Sequence, residues 1–183
     1  MEWIQYIDEQ IIYFINGFNS LWLDRLMIFF SGKLEWIPLY LLIILGFYDR
    51  FRKDFWKPVL VLLVCIAVSD RASSGLAKPF FERLRPCFED NIVSQVHLVI
   101  SCSGKYGFFS SHASNSFVIA TFSYLLLKEK RGTILLFLWA TLVALSRVYL
   151  IKHYFTDVLV GAIFGSLIGY LVYWLGRRTN ILS

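Results

Sequence analysis

Long apolar runs separated by short polar segments dominate the chain. A helix needs roughly 20 apolar residues to cross the hydrocarbon core of a bilayer. Five runs approach that length: Leu34–Tyr48, Pro58–Ala77, Ala113–Leu127, Thr133–Ile151 and Val158–Leu175. The first and third are short, and we expect them to extend into flanking residues. The pattern predicts an all-α, polytopic bundle of transmembrane helices that forms a single domain over residues 1–183.

The N-terminal segment, residues 1–31, has a different pattern. Apolar residues recur at helical spacing between positions 4 and 18, while Glu2, Gln5, Asp8 and Glu9 occupy other positions. This spacing predicts an amphipathic helix, which either lies in the membrane interface or packs as an ordinary buried helix on the bundle. The following run, residues 21–30, is short for a full span. We therefore expect five spans, or six if this run also crosses.

The charge distribution orients the bundle. The chain carries 18 Lys and Arg against 13 Asp and Glu, a net charge of +5. Half of the basic residues lie in three short segments, residues 50–57, 128–131 and 177–178. Short basic loops between apolar runs are typical of the cytoplasmic side. Nucleic-acid binding would instead need the basic charge on one groove or face, so that class is excluded.

With this orientation, residues 78–111 form a loop on the outer side, and charged groups collect at the outer ends of spans. Such groups cost a few kcal/mol near a bilayer, so they are rare there and usually functional. Six of them fall at one membrane depth: Lys78, Arg85, His112, Arg147, His153 and Asp157. Lysine and the forked donors of arginine suit phosphate oxygens. The convergence predicts a phosphate site.

Two histidines supply candidate chemistry for this site. His153 and Asp157 are four residues apart and would share one helix face. The carboxylate would then fix the imidazole tautomer and leave the other nitrogen as a base or nucleophile. His112 is available as a general acid. Ser110 and Ser111 precede a helix whose free backbone N–H groups can bind an anion. The alternative is an ordinary polar pair, a helix cap and cations that anchor helices at the headgroups.

These residues resemble the three motifs of the type-2 phosphatidic acid phosphatase superfamily, the membrane lipid phosphate phosphatases. The family pattern K-x6-RP matches Lys78–Pro86, and SR-x5-H-x3-D matches Ser146–Asp157. The second motif, PSGH, matches Phe109–His112 with two departures. Phe109 removes a proline that would stiffen the loop. Ser111 replaces a glycine, so its side chain would either crowd the phosphate or add a donor.

The resemblance implies a mechanism without a metal or cofactor. His153 would attack phosphorus, Asp157 would orient its ring, and His112 would protonate the leaving oxygen. The groups implied to stabilise the charge on the phosphate are Lys78, Arg85, Arg147 and the backbone N–H groups near Ser110 and Ser111. Fixed cations would thereby take the role that magnesium has in other phosphoryl transfers.

The resemblance also implies a substrate class and a location. The expected partners are the bilayer and a phosphorylated lipid, such as phosphatidic acid, phosphatidylglycerophosphate, undecaprenyl pyrophosphate or lipid A. The expected location is a bacterial inner membrane, with the site facing the periplasm. Haloperoxidase-like activity on the same pocket is an alternative that the apolar runs oppose. A non-catalytic phospholipid-binding or transport protein is a second alternative, which would not need the two histidines and the carboxylate.

Three residues of the outer loop carry no motif. Cys87 and Cys102 would form a disulfide if the loop faces an oxidising compartment, and two free cysteines are the alternative. His97 is expected to be an ordinary surface residue of the loop.

Overall fold

The computed structural model describes residues 2–182, apart from the side chains of residues 2, 130, 131 and 133. Nine α-helices occur in that range, with no strand beyond one isolated bridge between Leu84 and Tyr106. The helices are α1 Glu2–Gly17, α2 Leu21–Ser31, α3 Ile37–Phe51, α4 Trp56–Asp70, α5 Lys78–Phe81, α6 Asp90–Val93, α7 Ser111–Leu127, α8 Lys130–Tyr149 and α9 Phe155–Arg178. The predicted all-α class is confirmed, and each of the five predicted apolar runs falls on a helix.

Two helical segments are long and apolar enough to cross a membrane. Trp56–Phe81 has 26 residues and joins α4 to α5 through a π-helical stretch, Arg71–Ala77. The other, Phe155–Arg178, has 24 residues. A third span is added if α2 and Leu34–Asp54, which meet at 75°, form one broken span. The chain is therefore an integral membrane protein, while the total of five or six spans stays a prediction.

The N-terminal segment forms α1 and α2 rather than one helix. Asp8 and Ile12 of α1 are fully buried against the bundle, whereas Trp3 and Phe14 are largely exposed. A charged residue thus faces inward while large apolar residues face outward. The placement of α1 in the membrane interface stays a prediction.

The predicted outer loop, residues 78–111, begins later than expected because the helix continues through α5 to Phe81. The loop contains α6 and is braced where Leu84 and Tyr106 form their bridge. The sulfur atoms of Cys87 and Cys102 are paired in it, with Cα atoms 6.3 Å apart. The two ends of the loop are therefore tied together between α5 and α7.

Helices α7 and α9 pack closely because small residues line their contact. A methyl group added to Gly161 would lie 2.6 Å from the carbonyl oxygen of Ser110, and one added to Gly165 would overlap the backbone of Ser114. Glycines four residues apart let two helix backbones approach in a membrane. The close approach brings the N-termini of α7 and α9 together. The backbone N–H of Ser110 donates to the carbonyl of Asp157 over 3.0 Å.

Candidate active site

A cavity of about 660 Å³ runs from the N-termini of α7 and α9 into the bundle. Its polar end is lined by six of the eight predicted site residues: Lys78, Arg85, Ser111, His112, Arg147 and His153. Its other end is lined by apolar side chains of α3, α4 and α7, among them Ile43, Phe47, Val59, Leu62, Ile66 and Ile119. Charged and apolar surfaces therefore share one continuous space, as an amphiphilic ligand would require.

The remaining two predicted residues, Ser110 and Asp157, lie directly behind the cavity wall. Both are fully buried. Ser110 is the N-cap of α7, and its hydroxyl accepts from the backbone N–H of Ala113 over 3.4 Å. Ser110 therefore caps α7, whereas the alternative of a simple helix cap was raised for Ser111. The eight predicted residues nevertheless gather in one place.

His153 lies in the turn between α8 and α9, and its backbone N–H donates to the carbonyl of Arg147 over 3.2 Å. The prediction that His153 and Asp157 share a helix face was wrong, because α9 begins only at Phe155. Their side chains meet all the same, with Nδ1 of His153 3.6 Å from Oδ2 of Asp157. This separation is longer than a hydrogen bond. The Asp157 oxygen instead accepts from the backbone N–H of Tyr154 over 3.1 Å.

The other ring nitrogen of His153, Nε2, lies 3.2 Å from Nη1 of Arg85. A guanidinium can only donate, so this contact requires a free lone pair on Nε2 and places the ring proton on Nδ1. The charge state agrees with this tautomer. Burial, together with the nearby charges of Arg147, Arg85 and Lys78, holds the pKa of His153 well below its usual range. The imidazole is therefore neutral, with the lone pair of Nε2 directed at Arg85.

Ser111, which stands where the family has glycine, connects three elements. Its hydroxyl lies 2.9 Å from the hydroxyl of Ser73 and 3.0 Å from that of Ser74, both in the π-helical stretch. It also accepts from Nζ of Lys78 over 2.9 Å. The serine therefore orients the lysine rather than only crowding the pocket. π-Helical segments of this kind are frequent at functional sites.

Phe109, which stands where the family has proline, is held by its surroundings. Its ring packs against Phe164 of α9 with centroids 4.9 Å apart. Its carbonyl accepts from the hydroxyl of Ser73 over 2.7 Å. Aromatic packing and a buried hydrogen bond thus restrain this loop in place of a proline ring.

Arg147 is buried, and one of its terminal nitrogens donates to the hydroxyl of Ser31 at the end of α2. Gly32 and Lys33, which follow Ser31, line the same cavity. The turn after α2 therefore forms part of the site. The sequence analysis missed this turn because it carries no motif.

Two further residues were missed, Arg83 and Asp8. Nη1 of Arg83 donates to Oδ1 of Asp157 over 2.7 Å, and Nη2 donates to Oδ2 of Asp8 over the same distance. A cation two residues before Arg85 was a signal for the first. Asp8 gave a weaker signal, as an acidic residue within an otherwise apolar helical pattern.

His97 is half-exposed in the outer loop, as expected, and it also contacts other segments of the chain. Its Nε2 lies 3.0 Å from Oδ2 of Asp24 in α2. Tyr149 donates to the other oxygen of that carboxylate over 2.5 Å. The backbone of His97 is held by the amide of Asn16. This second cluster fastens the outer loop to α1, α2 and α8, away from the cavity.

The fold and the site together define a helical membrane protein with a cationic, histidine-containing cavity at one end of the bundle. The comparison with protein families agrees. The model of the PAP2 superfamily matches residues 55–181, more than half of the chain. The chain belongs to the PAP2 superfamily, as its motifs predicted.

Relatives with names and structures are similar over most of the chain. A lipid A 4'-phosphatase of Bacteroides thetaiotaomicron is 33% identical over 97% of this chain and 80% of its own length. A phosphatidylglycerophosphatase B of Bacillus subtilis is 32% identical over 72% of this chain and 64% of its own length. The crystal structure of a transmembrane PAP2-type phosphatidylglycerolphosphate phosphatase from Bacillus subtilis matches with a TM-score of 0.74 at 28% identity, covering 97% of this chain and 88% of that one. The structure of Aquifex aeolicus LpxE matches with a TM-score of 0.65 at 26% identity, covering 89% and 92%.

Proposed function

We propose that the protein is a membrane lipid phosphatase that removes phosphate through a phosphohistidine intermediate on His153. One observation carries the proposal. A neutral imidazole, with Nε2 as its free nitrogen, stands beside Arg85 at the polar end of a cavity whose other end is apolar. A lipid phosphate can place its headgroup among the cations and its chains along the apolar wall.

The first step is transfer of the phosphoryl group to the enzyme. The lone pair on Nε2 of His153 forms the bond to phosphorus while the bond from phosphorus to the lipid oxygen breaks. Without a bound anion, burial and the nearby cations lower the pKa of His112 to about 2. The negative phosphate group offsets those charges, so His112 carries a proton in the complex and donates it to that oxygen, and the lipid leaves as an alcohol. Lys78, Arg85 and Arg147 line the same space and stabilise the charge on the phosphoryl oxygens.

The second step is hydrolysis of the phosphohistidine. His112, now neutral, accepts a proton from water while the water oxygen bonds to phosphorus. The bond between phosphorus and Nε2 of His153 breaks, and inorganic phosphate leaves. No step needs a metal ion or a cofactor in this proposal, because three cationic side chains surround the phosphate position.

The cavity favours a phosphate monoester over a diphosphate. It suits a lipid whose atoms next to the phosphate are polar but uncharged. Below the cations, about one helical turn toward the apolar end, Asp70 and Asn115 line the wall. The Asn115 amide donates to Asp70 over 3.5 Å, and its oxygen is buried without a partner. The Asp70 carboxylate would repel the second phosphate of a diphosphate. Hydroxyl groups of a sugar or glycerol would instead donate hydrogen bonds to the Asp70 carboxylate and to the Asn115 oxygen.

Lipid A is the leading substrate class in this proposal. Two relatives named lipid A 4'-phosphatase, from Bacteroides thetaiotaomicron and Porphyromonas gingivalis, align over 97% and 96% of this chain. Phosphatidylglycerophosphate is the second candidate, supported by the relatives from Bacillus subtilis. Both are monoesters on hydroxylated groups, unlike undecaprenyl pyrophosphate.

The site is proposed to open on the periplasmic side of a bacterial inner membrane. Arg50, Lys128 and Arg177, one from each predicted cytoplasmic segment, line a common pocket at the opposite end of the bundle. That clustering supports the orientation derived from the positive charges. The side chains of Lys130 and Arg131, also assigned to this side, lie outside the part of the chain that the structure describes.

The test is phosphate release by the purified protein from a panel of lipid A, phosphatidylglycerophosphate, phosphatidic acid and undecaprenyl pyrophosphate. We expect turnover with the monoesters, a labelled phosphoenzyme after rapid quenching, and competition by vanadate. His153→Ala should abolish both label and turnover while the protein stays folded. Normal turnover in that variant would refute the nucleophile assignment. Binding of lipid without release by the native protein would favour the transport or scaffold alternative.

A further inference from the structure

A chain of ion pairs joins the N-terminal helix to the carboxylate that faces His153. The Arg83 guanidinium lies between Asp8 of α1 and Asp157 of α9, at 2.7 Å from an oxygen of each. Both carboxylates are fully buried, while about a quarter of the Arg83 side chain is exposed. A buried carboxylate is costly unless it is paired and hydrogen-bonded. One arginine therefore stabilises two acidic groups from opposite ends of the chain.

Asp8 also holds the first turn of α9. Its Oδ1 accepts from the backbone N–H of Thr156 over 2.9 Å, and its Oδ2 accepts from the Thr156 hydroxyl. The first N–H groups of a helix have no partner within the helix, and a negative charge there is favourable. Asp8 thus acts as an N-terminal cap that comes from a different helix. It orders the residue immediately before Asp157.

The hydrogen bonds of Asp157 divide between its two oxygens. Oδ1 accepts from Arg83, while Oδ2 accepts from the backbone N–H of Tyr154 and faces Nδ1 of His153. The Arg83 guanidinium also lies over the Tyr154 ring, 4.1 Å from its centroid. The planar guanidinium is itself held by Asp8 and by the Tyr154 ring, so its hydrogen bond fixes the rotation of the Asp157 carboxylate. The direction of the oxygen facing His153 is set by this arrangement.

We propose that Asp8 and Arg83 are positioning residues for the phosphoryl transfer to His153, and that α1 is thereby part of the active-site structure. The proposal rests on the proposed function and concerns orientation only. Neither residue lines the cavity, so neither contacts the phosphate. Their effect reaches the substrate through Asp157 and the imidazole ring, which must keep its Nε2 lone pair aimed at phosphorus.

The test compares Asp8→Asn with Glu9→Gln, a matched control. Both replacements remove one negative charge from neighbouring positions of α1 without changing side-chain size. The Glu9 carboxylate accepts a hydrogen bond from the exposed Gln5 on the same helix. In Asp8→Asn the amide must turn its NH2 group either toward Arg83 or toward the backbone N–H of Thr156, and both of these groups donate. We expect kcat to fall about 10- to 100-fold, the loss typical of a misplacement near 1 Å. Glu9→Gln should stay within about twofold of the native enzyme.

Measuring kcat for two Arg83 variants separates the effect of the positive charge from that of the forked guanidinium geometry. Arg83→Met removes both ion pairs, whereas Arg83→Lys keeps a charge that can reach one carboxylate at a time. We expect the lysine variant to retain more kcat than the methionine variant. KM and vanadate inhibition should stay within about threefold in all of these variants, because Lys78, Arg85 and Arg147 are intact.

Two outcomes would overturn the positioning role. In one, Asp8→Asn keeps the kcat of Glu9→Gln. In the other, kcat, vanadate affinity and melting temperature all decline together, which is what loss of folded protein alone would cause. Failure of the proposed function is a separate result, because the native protein would then release no phosphate or His153→Ala would remain active.

Discussion

The contact between α7 and α9 allows a prediction in which a single methyl group displaces the active site. In Gly161→Ala the new Cβ would lie 2.6 Å from the carbonyl oxygen of Ser110, which is backbone and cannot rotate away. Ordinary contact begins near 3.4 Å, so the two helices must separate locally by about 0.8 Å. Gly161 is one helical turn from Asp157. The separation therefore acts on the backbone hydrogen bond between Ser110 and Asp157.

The expected effect is larger on catalysis than on stability. Overpacking costs about 1–3 kcal/mol, and replacing a helical glycine with alanine returns about 1 kcal/mol. The net loss of stability is then at most about 2 kcal/mol. A displacement near 1 Å between the groups on α7 and those beside α9 should reduce kcat by about 100-fold.

The assay is single-turnover phosphate release, measured beside the thermal melting of detergent-purified protein. Gly17→Ala is the control without contact, because nothing lies within 4 Å of the added methyl group. Gly169→Ala is the control on the same face of α9. Its methyl group would lie 3.1 Å from the Val118 carbonyl, farther from the site, and should cost less than tenfold in kcat. A Gly161→Ala enzyme with native kcat would refute the reasoning.

Three further predictions concern pH, the serine hydroxyl and the disulfide. The pKa of His153 is held well below its usual range, so the imidazole stays neutral as pH falls through 6.5. The value of kcat/KM, corrected for substrate ionisation, should therefore decrease through protonation of His153 only at a lower pH, and a midpoint at 6.5 would contradict that. Ser111→Ala removes a hydrogen bond from Lys78 and should raise KM about 3- to 10-fold with kcat less affected; an unchanged KM would mean that the hydroxyl does not orient the lysine. Intact mass after alkylation, with and without prior reduction, should show one bond between Cys87 and Cys102, and alkylation of both without reduction would exclude it.

The helices were predictable because their signal is local. Apolar runs of bilayer length identified five of the segments, and the spacing of basic residues identified which ends share a side. Boundaries were less predictable where polar residues continue a helix. Lys78 was assigned to the loop, yet the helix runs on to Phe81.

The candidate site was predictable where residues chemically suited to phosphate lie at helix ends. The motifs identified six of the polar residues that line the cavity, but not Lys33, Asp70 or Asn115. Arg83 and Asp8 were not found because their role depends on a meeting between α1, the outer loop and α9. The periodicity of residues within one segment does not predict a contact between segments that are far apart in the chain. The same reason explains why the contact between His97 and Asp24 was not predicted.

The sequence by itself determined the helical membrane class, the family and the residues proposed to carry the chemistry, because hydrophobic period, charge and motif spacing can be read from positions close together in the chain. The tertiary structure decided how those residues are held. Close packing through Gly161 brings two helix N-termini together, and Arg83 then connects Asp8 to Asp157. These arrangements depend on distances between segments far apart in the chain, which only the packed bundle sets.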